Sequence, residues 1–188
     1  MRAPFLILMT LAALAYIMPA HARDIVHAPI EITNAIPSRG HGKTFALTGR
    51  LGAGSYDRFR KSIARLKPDL IVLDGPGGKL FEAILIGREI RNRGLATAIG
   101  QNKTCASACA IVYLSGRKKY AGRGAAIGLH SASDDQGRRD PGANQFMLNY
   151  LVRVGVPAKL VRNVLVASPN TMRWLDERDR KTLNIRSF

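Results

Sequence analysis

The chain has 188 residues and a formal net charge of +16 at pH 7, with two cysteines and few aromatic residues. This length suits one domain with a real hydrophobic core. The basic surplus favours loose association with anionic surfaces. The cationic residues are scattered and no base-stacking or helix-turn-helix motif accompanies them, which argues against a specific nucleic-acid partner.

The N-terminus has the three parts of a secretory signal. Arg2 precedes an apolar run over residues 5–18, and Ala20-His21-Ala22 follows as a small-residue cleavage site. The run is shorter than the roughly 20 residues that a membrane span needs. We therefore expect residues 1–22 to be a signal peptide cleaved after Ala22, and residues 23–188 to be one domain that is periplasmic or secreted. Without Arg2, 28 Lys and Arg face 13 Asp and Glu, a formal charge of +15.

Periodicity in the first half predicts alternating strands and helices. The predicted strands cover residues 25–33, 44–48 and 69–73, with a helix from Ser55 before the third strand and another over 80–93 after it. The third strand is a continuous apolar run, which is typical of a strand covered on both faces. This pattern favours an α/β fold.

The second half continues the alternation. It predicts strands at 95–99, 125–129 and 172–175, a helix through Ile111 and Leu114, and helices at 146–154, 157–167 and 176–183.

A glycine-rich stretch lies between the strand at 69–73 and the helix that follows. At Gly77 and Gly78 no side chain covers the backbone, so the amides can face a ligand. The alternative is an ordinary glycine-rich turn. The spacing matches neither G-x-G-x-x-G nor a P-loop, which disfavours nucleotide binding.

Ser107 lies between alanines at the start of a predicted buried helix. The first amides of a helix have no intrahelical acceptor and favour negative charge. If Ser107 attacks a carbonyl, the N–H of Ala108 lies where an oxyanion needs a donor. The alternative is that Ser107 only caps the helix.

Cys105 and Cys109 flank this serine at a separation of four. In an oxidising compartment they can form a disulfide that braces the turn. The equal alternative is a pair of small buried hydrophobic residues. A metal site is not expected, because neither a C-x-x-C pair nor a nearby histidine accompanies them.

His130 stands at the end of the predicted buried strand 125–129, before a polar loop. An imidazole in that place can act as a general base near neutral pH. The alternative is a histidine that is simply hydrogen-bonded at a strand end.

These motifs occur in an informative order: Gly-Pro-Gly-Gly, then Cys-Ala-Ser-Ala-Cys, then Gly-x-His at a strand end. In this order the chain closely resembles the Clp protease proteolytic subunit (ClpP) family within the crotonase-like fold, which is built of repeated β-β-α units. The nearer match is to exported, stand-alone ClpP-like proteins, and the resemblance covers about residues 45–185.

The resemblance implies a serine hydrolase, foremost a peptidase acting on peptide or protein substrates without a cofactor. Ser107 would be the nucleophile and His130 its base, with Gly78 and Ala108 as oxyanion donors. In the family an acidic residue orients the histidine, and its place here falls on Asn170 or Thr171. Asn170 can orient the ring, as asparagine does in related cysteine enzymes.

Two carboxylates offer substitutes for the missing acid. Asp176 or Asp134 would serve if its loop folded inward. The missing carboxylate also leaves open a catalytically inactive binding protein on this scaffold, and an exported esterase is a third hypothesis.

Export also bears on partners. Members of the ClpP family proper work with an ATP-driven unfoldase. We do not expect such a partner here, because ATP is not available to an exported protein. The barrel assembly of the family is compatible with the sequence but not implied by it.

Overall fold

The computed structural model describes residues 42–188. Within this range the strands are β1 (Thr44–Leu51), β2 (Leu70–Gly78), β3 (Ala96–Ile99), β4 (Thr104–Ala106), β5 (Lys119–Ala121), β6 (Ala126–Leu129), β7 (Arg173–Trp174) and β8 (Ile185–Ser187). The helices are α1 (Ser55–Leu66), α2 (Leu80–Asn92), α3 (Ala108–Leu114), α4 (Pro141–Arg153), α5 (Ala158–Val166) and α6 (Glu177–Thr182). The α/β fold that the sequence predicts is confirmed.

Strand β2 is where the sheet divides. On one side it pairs with β1 along almost its whole length. On the other side its first half pairs with β3, while Gly75 near its end pairs with Cys105 of β4. One branch therefore continues through β3, β5 and β8, and the other through β4, β6 and β7.

All these pairings are parallel except that of β7 with β6. Parallel strands that helices cover need apolar residues on both faces, and Leu70, Ile71 and Leu73 of β2 are all buried. Because parallel strands end at one edge, the segments that follow β2, β4 and β6 lie together.

Three strands and one helix start escape the sequence prediction. Strands β4, β5 and β8 have three residues each, too few for an alternating pattern to stand out. Helix α4 begins at Pro141 rather than 146, because the carboxylate of Asp140 accepts from the Ala143 amide and caps it.

The glycine-rich stretch is also part of a strand. We expected Gly77 and Gly78 to lie between strand and helix, either as amide donors or as an ordinary turn, but β2 continues through Gly78, which pairs with Leu51 of β1. Glycine permits this extension, since both residues have positive φ angles of 103° and 137°.

The predicted signal peptide, its cleavage after Ala22 and the predicted strand at 25–33 lie outside the described residues. From residue 42 onward, no helix combines the length and the apolar character that crossing a bilayer requires.

The start of α1 is held by a carboxylate from α2. Glu82 accepts hydrogen bonds from the backbone N–H groups of Gly54 at 2.9 Å and Tyr56 at 2.7 Å. These donors belong to the first turn of α1, where no intrahelical acceptor exists. Glu82 therefore joins α1 to the helix that follows the glycine-rich end of β2.

We expect Glu82→Ala to lower the free energy of unfolding by about 1–3 kcal/mol, because two partly buried amides lose their acceptor. The matched control is Glu89→Ala in the same helix, which loses only an ion pair with Arg93 one turn away and should cost about 0.5 kcal/mol or less. Urea unfolding followed by circular dichroism measures both, and equal losses would contradict the role given to Glu82.

Candidate active site

Ser107 occupies a backbone conformation that side-chain-bearing residues rarely adopt. It stands between β4 and α3 with φ 54° and ψ −125°, a region that costs roughly 1–3 kcal/mol when no glycine is present. Its N–H donates to the carbonyl of Gly128 at 2.8 Å, and its carbonyl accepts from the Ala110 amide at 3.0 Å. The hydroxyl makes no capping hydrogen bond, so the helix-cap alternative does not explain this serine.

A disulfide closes the turn around Ser107. Cys105 in β4 and Cys109 in α3 are bonded, with their Cα atoms 5.2 Å apart. Both side chains are buried. The cross-link joins the strand before the serine to the helix after it, and so opposes straightening of the turn.

The end of β2 packs directly on this turn at Gly77. A Cβ atom added at Gly77 would lie 2.6 Å from the Cβ of Ser107 and 2.8 Å from the amide nitrogen of Ala108. These separations are too short for any side chain. Gly77 is thus the residue that lets the β2 backbone reach the serine, a close approach that the sequence does not indicate, although the sequence does mark both glycines as uncovered backbone.

The two predicted amide donors flank this contact. The N–H of Lys79 donates to the Leu51 carbonyl of β1 at 2.8 Å. Gly78 directly follows Gly77 at the end of β2 that packs on the Ser107 turn. Ala108 is the first residue of α3, so its N–H has no intrahelical acceptor.

His130 follows β6, the strand next to β4. The register pairs Ala106 of β4 with Gly128 of β6, so Ser107 and His130 both emerge at the ends of neighbouring parallel strands, which lie about 5 Å apart. The Nδ1 atom of His130 lies 2.8 Å from the carbonyl oxygen of Ser131. A carbonyl only accepts, so Nδ1 carries the proton, and Nε2 of the neutral ring is left as the proton acceptor.

The Ser131 carbonyl, which accepts the hydrogen bond from Nδ1–H of His130, belongs to a loop that is fixed by further hydrogen bonds. The buried hydroxyl of Ser131 donates to the Ala167 carbonyl at 2.8 Å, at the end of α5. The side chain of Asn144 binds both backbone groups of Ala132, accepting from its N–H at 2.8 Å and donating to its carbonyl at 3.0 Å. Asn144 is only 7% exposed, so this contact is shielded from water.

Within the described residues, neither Asn170 nor Thr171 is hydrogen-bonded to the imidazole of His130. Asn170 is exposed in the turn after α5, where its backbone N–H donates to the Ser168 hydroxyl at 3.3 Å. Thr171 is held in the same turn, through its N–H to the Ser168 carbonyl. The Nδ1–H of His130 donates to the main-chain carbonyl of Ser131, so neither of these two side chains is the hydrogen-bond partner of Nδ1.

The two carboxylates offered as substitutes are engaged elsewhere. Asp134 accepts from the backbone N–H of Arg138, which holds the pKa of that carboxyl below its usual value. Asp176 caps α6, and the backbone N–H of Asp179 lowers the pKa of Asp176 in the same way. Each carboxylate therefore fixes its own loop.

The sequence does contain one indication of the loop that orients His130, namely Asn144. Asn144, Met147, Tyr150 and Leu151 form the buried stripe of α4, and a polar residue on such a stripe needs a buried partner. The Ser131 carbonyl had no such signal, because a main-chain acceptor exists at every position.

The described part of the chain contains no group of His, Cys, Asp and Glu side chains that could hold a metal ion. The chemistry that this arrangement offers is therefore that of an alcohol, an imidazole and main-chain amides.

The sequence matches no protein-family model and no curated relative. The structure is similar to solved proteases. ClpP1 from Listeria monocytogenes is 12% identical, with 77% of this chain and 90% of that chain covered and a TM-score of 0.58. The ClpP catalytic domain from Plasmodium falciparum is 14% identical over 77% of this chain and 84% of that chain, with a TM-score of 0.58.

A third similar structure is a membrane protease, 1510-N, described as specific for a stomatin homolog from Pyrococcus horikoshii. It is 17% identical, with 77% of this chain and 71% of that chain covered and a TM-score of 0.55. At these identities the similarity shows the fold, and the predicted ClpP-like fold is confirmed.

We expect the Cys105→Ala/Cys109→Ala double variant to lose about 2 kcal/mol of stability, the cross-link entropy for so short a loop. A reductant should lower the urea midpoint of the wild type and leave that of the double variant unchanged. A wild-type midpoint that does not respond to full reduction, verified by thiol titration, would show that the disulfide does not support the fold.

Proposed function

We propose that this chain is an exported, ATP-independent serine hydrolase, a peptidase that acts through an acyl-enzyme on Ser107. The observation that carries the proposal is the backbone of Ser107, held at positive φ against Gly77 at the start of α3. Such strain persists only where the surrounding structure enforces it, and it clusters at active sites. His130, from the neighbouring strand, supplies the base.

The proposed reaction begins when Nε2 of His130 takes the proton of Ser107 as the hydroxyl oxygen attacks the peptide carbonyl. The N–H groups of Gly78 and Ala108 stabilise the oxyanion of the tetrahedral intermediate. His130 then gives the proton to the leaving amine, and the C–N bond breaks. Water attacks the remaining ester with His130 again as base, which releases the acid and restores Ser107.

The carbonyl of Ser131 takes the orienting role of the usual carboxylate in this proposal. It fixes the tautomer that leaves Nε2 free to accept a proton. A neutral dipole stabilises the imidazolium ion less than a full negative charge does, so we infer a slow enzyme relative to one with a carboxylate.

Export is supported by two separate features. The disulfide is of the kind that persists in oxidising compartments such as the periplasm, and the N-terminal sequence has the pattern of a signal peptide. In such a compartment the proposed substrates are peptides or exposed loops, with no ATPase partner. The basic surplus would also favour contact with anionic surfaces.

A binding protein without catalysis is the second candidate, and it is favoured by the hydrogen bond of Nδ1 of His130 to a main-chain carbonyl instead of a carboxylate. An esterase would use the same groups, because the oxyanion donors do not select the leaving group. Comparing turnover of matched amide and ester substrates separates the peptidase from the esterase.

A fluorophosphonate probe should label the wild-type chain, because an activated serine attacks phosphorus and the oxyanion donors stabilise the product. Labelling is expected to disappear in Ser107→Ala and to persist in the control Ser168→Ala, which removes an exposed hydroxyl. Mass spectrometry of the labelled peptide identifies the site. Absence of labelling on folded wild-type protein would favour the binding protein.

Two asparagines provide a test of what orients His130. Asn144→Ala should slow labelling roughly 10- to 100-fold, because the loop that carries the Ser131 carbonyl shifts and misplaces the imidazole. Asn170→Ala should change the rate less than about twofold, since its exposed side chain makes no hydrogen bond to the ring. The second-order labelling rate constant measures both effects. A larger decrease of this rate constant in Asn170→Ala than in Asn144→Ala would indicate that Asn170 orients His130.

A further inference from the structure

The two cysteines of the chain enclose one very short loop. Only Ala106, Ser107 and Ala108 stand between them, so the candidate nucleophile is the central residue of the loop that the disulfide closes. The stability that a cross-link adds increases with the number of residues it encloses, so a loop of this size gains less than a long one. The Cys105–Cys109 bond therefore constrains, above all, the path of the backbone through Ser107.

The elements on either side of this loop are held by other contacts as well. Strand β4, which contains Cys105, pairs with β2 and β6. Cys109 lies in the first turn of α3, and every residue of that helix is buried. Loss of the disulfide would therefore act first on the turn that joins β4 to α3.

Two free thiols cannot replace the disulfide without a shift of the backbone. Sulfur atoms that are not bonded to each other keep a van der Waals separation, which is longer than a covalent bond. Cys105 is 0% exposed and Cys109 is 5% exposed, in a close-packed interior. The added space must come from moving the two backbone segments apart, and Ser107 lies between these segments.

The backbone of Ser107 relaxes when its neighbours move apart. Its φ of 54° and ψ of −125° belong to a region that is unfavourable for a residue with a side chain. A return of φ to a negative value redirects the hydroxyl and the N–H of Ala108, both of which the proposed reaction uses. Catalysis is sensitive to such changes, because a misplacement of about 1 Å can slow a reaction about a hundredfold.

We propose that the Cys105–Cys109 disulfide is a redox switch for Ser107. In the reduced form, with two thiols, the turn is relaxed and the serine is inactive. Oxidation in an oxidising compartment assembles the active turn. This inference rests on the proposed function and adds its regulation: a hydrolase made in the reducing interior of a cell stays inactive until it is exported.

The switching step is a thiol–disulfide exchange with a disulfide oxidant. The thiolate of one cysteine attacks the oxidant and forms a mixed disulfide, from which the thiolate of the other cysteine displaces the oxidant. The Cys105–Cys109 bond forms, the oxidant is reduced to a dithiol, and the two cysteine protons pass to its sulfur atoms. Because both cysteines are buried in the folded chain, the exchange takes place while the chain folds.

Labelling rates of the two forms test this switch. The chain is refolded with an excess of a dithiol or with a disulfide oxidant, and thiol titration verifies the reduced and the oxidised form. The second-order rate constant for fluorophosphonate labelling of Ser107 should be about tenfold lower, or less still, in the reduced form. Refolding that form with the oxidant should restore the rate constant. Equal rate constants in the two forms would overturn the proposal.

Two variants separate the switch from a general loss of stability. Cys105→Ala/Cys109→Ala should label slowly with either refolding reagent, and labelling at the full rate would contradict the switch. Ile63→Val makes a small cavity at a fully buried position of α1 and so lowers stability with the disulfide intact. It should label like the wild type while circular dichroism shows a folded chain. Slow labelling of folded Ile63→Val would attribute the effect to stability and contradict the switch.

Hydrogen exchange tests the turn without catalysis. In the oxidised chain the N–H of Ser107 donates to the Gly128 carbonyl, and reduction should speed its exchange about tenfold, more than that of the α5 amides. If this exchange responds but fluorophosphonate labels neither form, the hydrolase is refuted and the redox-dependent turn is retained. If the oxidised form is labelled and neither measurement responds to reduction, the switch is refuted and the hydrolase is retained.

Discussion

The positive-φ backbone of Ser107 is the constraint on which the rest of the site depends. Left alone, a serine would relax into an ordinary helical or extended conformation. Three contacts prevent this: the hydrogen bond from the Ser107 N–H to the Gly128 carbonyl, the packing of Gly77 against the turn, and the disulfide between the residues on either side. Each contact comes from a different segment, so the turn exists only when β2, β4 and β6 are assembled side by side.

That assembly also explains why the strands near the site are short. Strand β4 has three residues because it must end where Ser107 turns the chain into α3. Gly77 near the end of β2 stands where any side chain would collide with the turn. Local regularity is given up at the place where a backbone has to approach a side-chain hydroxyl closely.

Much of this was predictable from the sequence, for identifiable reasons. The long periodic segments and the buried run of β2 have strong patterns. The order of the Gly-Gly, Ser and His motifs was the basis for predicting the ClpP-like fold. The three-residue strands had no pattern to detect. The extension of β2 through Gly78 depends on pairing with Leu51, which is 27 positions away and leaves no local trace.

The group that orients His130 could not be predicted from the sequence, for a different reason. The sequence predicts a side-chain partner for the ring, Asn170 first among four candidates, whereas in the structure a backbone oxygen lies at Nδ1. Asn144 supports that oxygen indirectly, through its two hydrogen bonds to Ala132. Reasoning from residue types can find side-chain partners, but it cannot rank one carbonyl among all those in the chain.

A backbone acceptor changes how this site responds to evolution. A single codon change can remove a carboxylate. In contrast, every amino acid at position 131 has the same main-chain carbonyl, provided that it leaves the path of the loop unchanged. Mutational drift at that position therefore leaves the ring's partner in place as long as the loop keeps its course. The vulnerable positions are instead those that set the course, and selection for an oriented imidazole would act on Asn144 and on the contact between Ser131 and the end of α5.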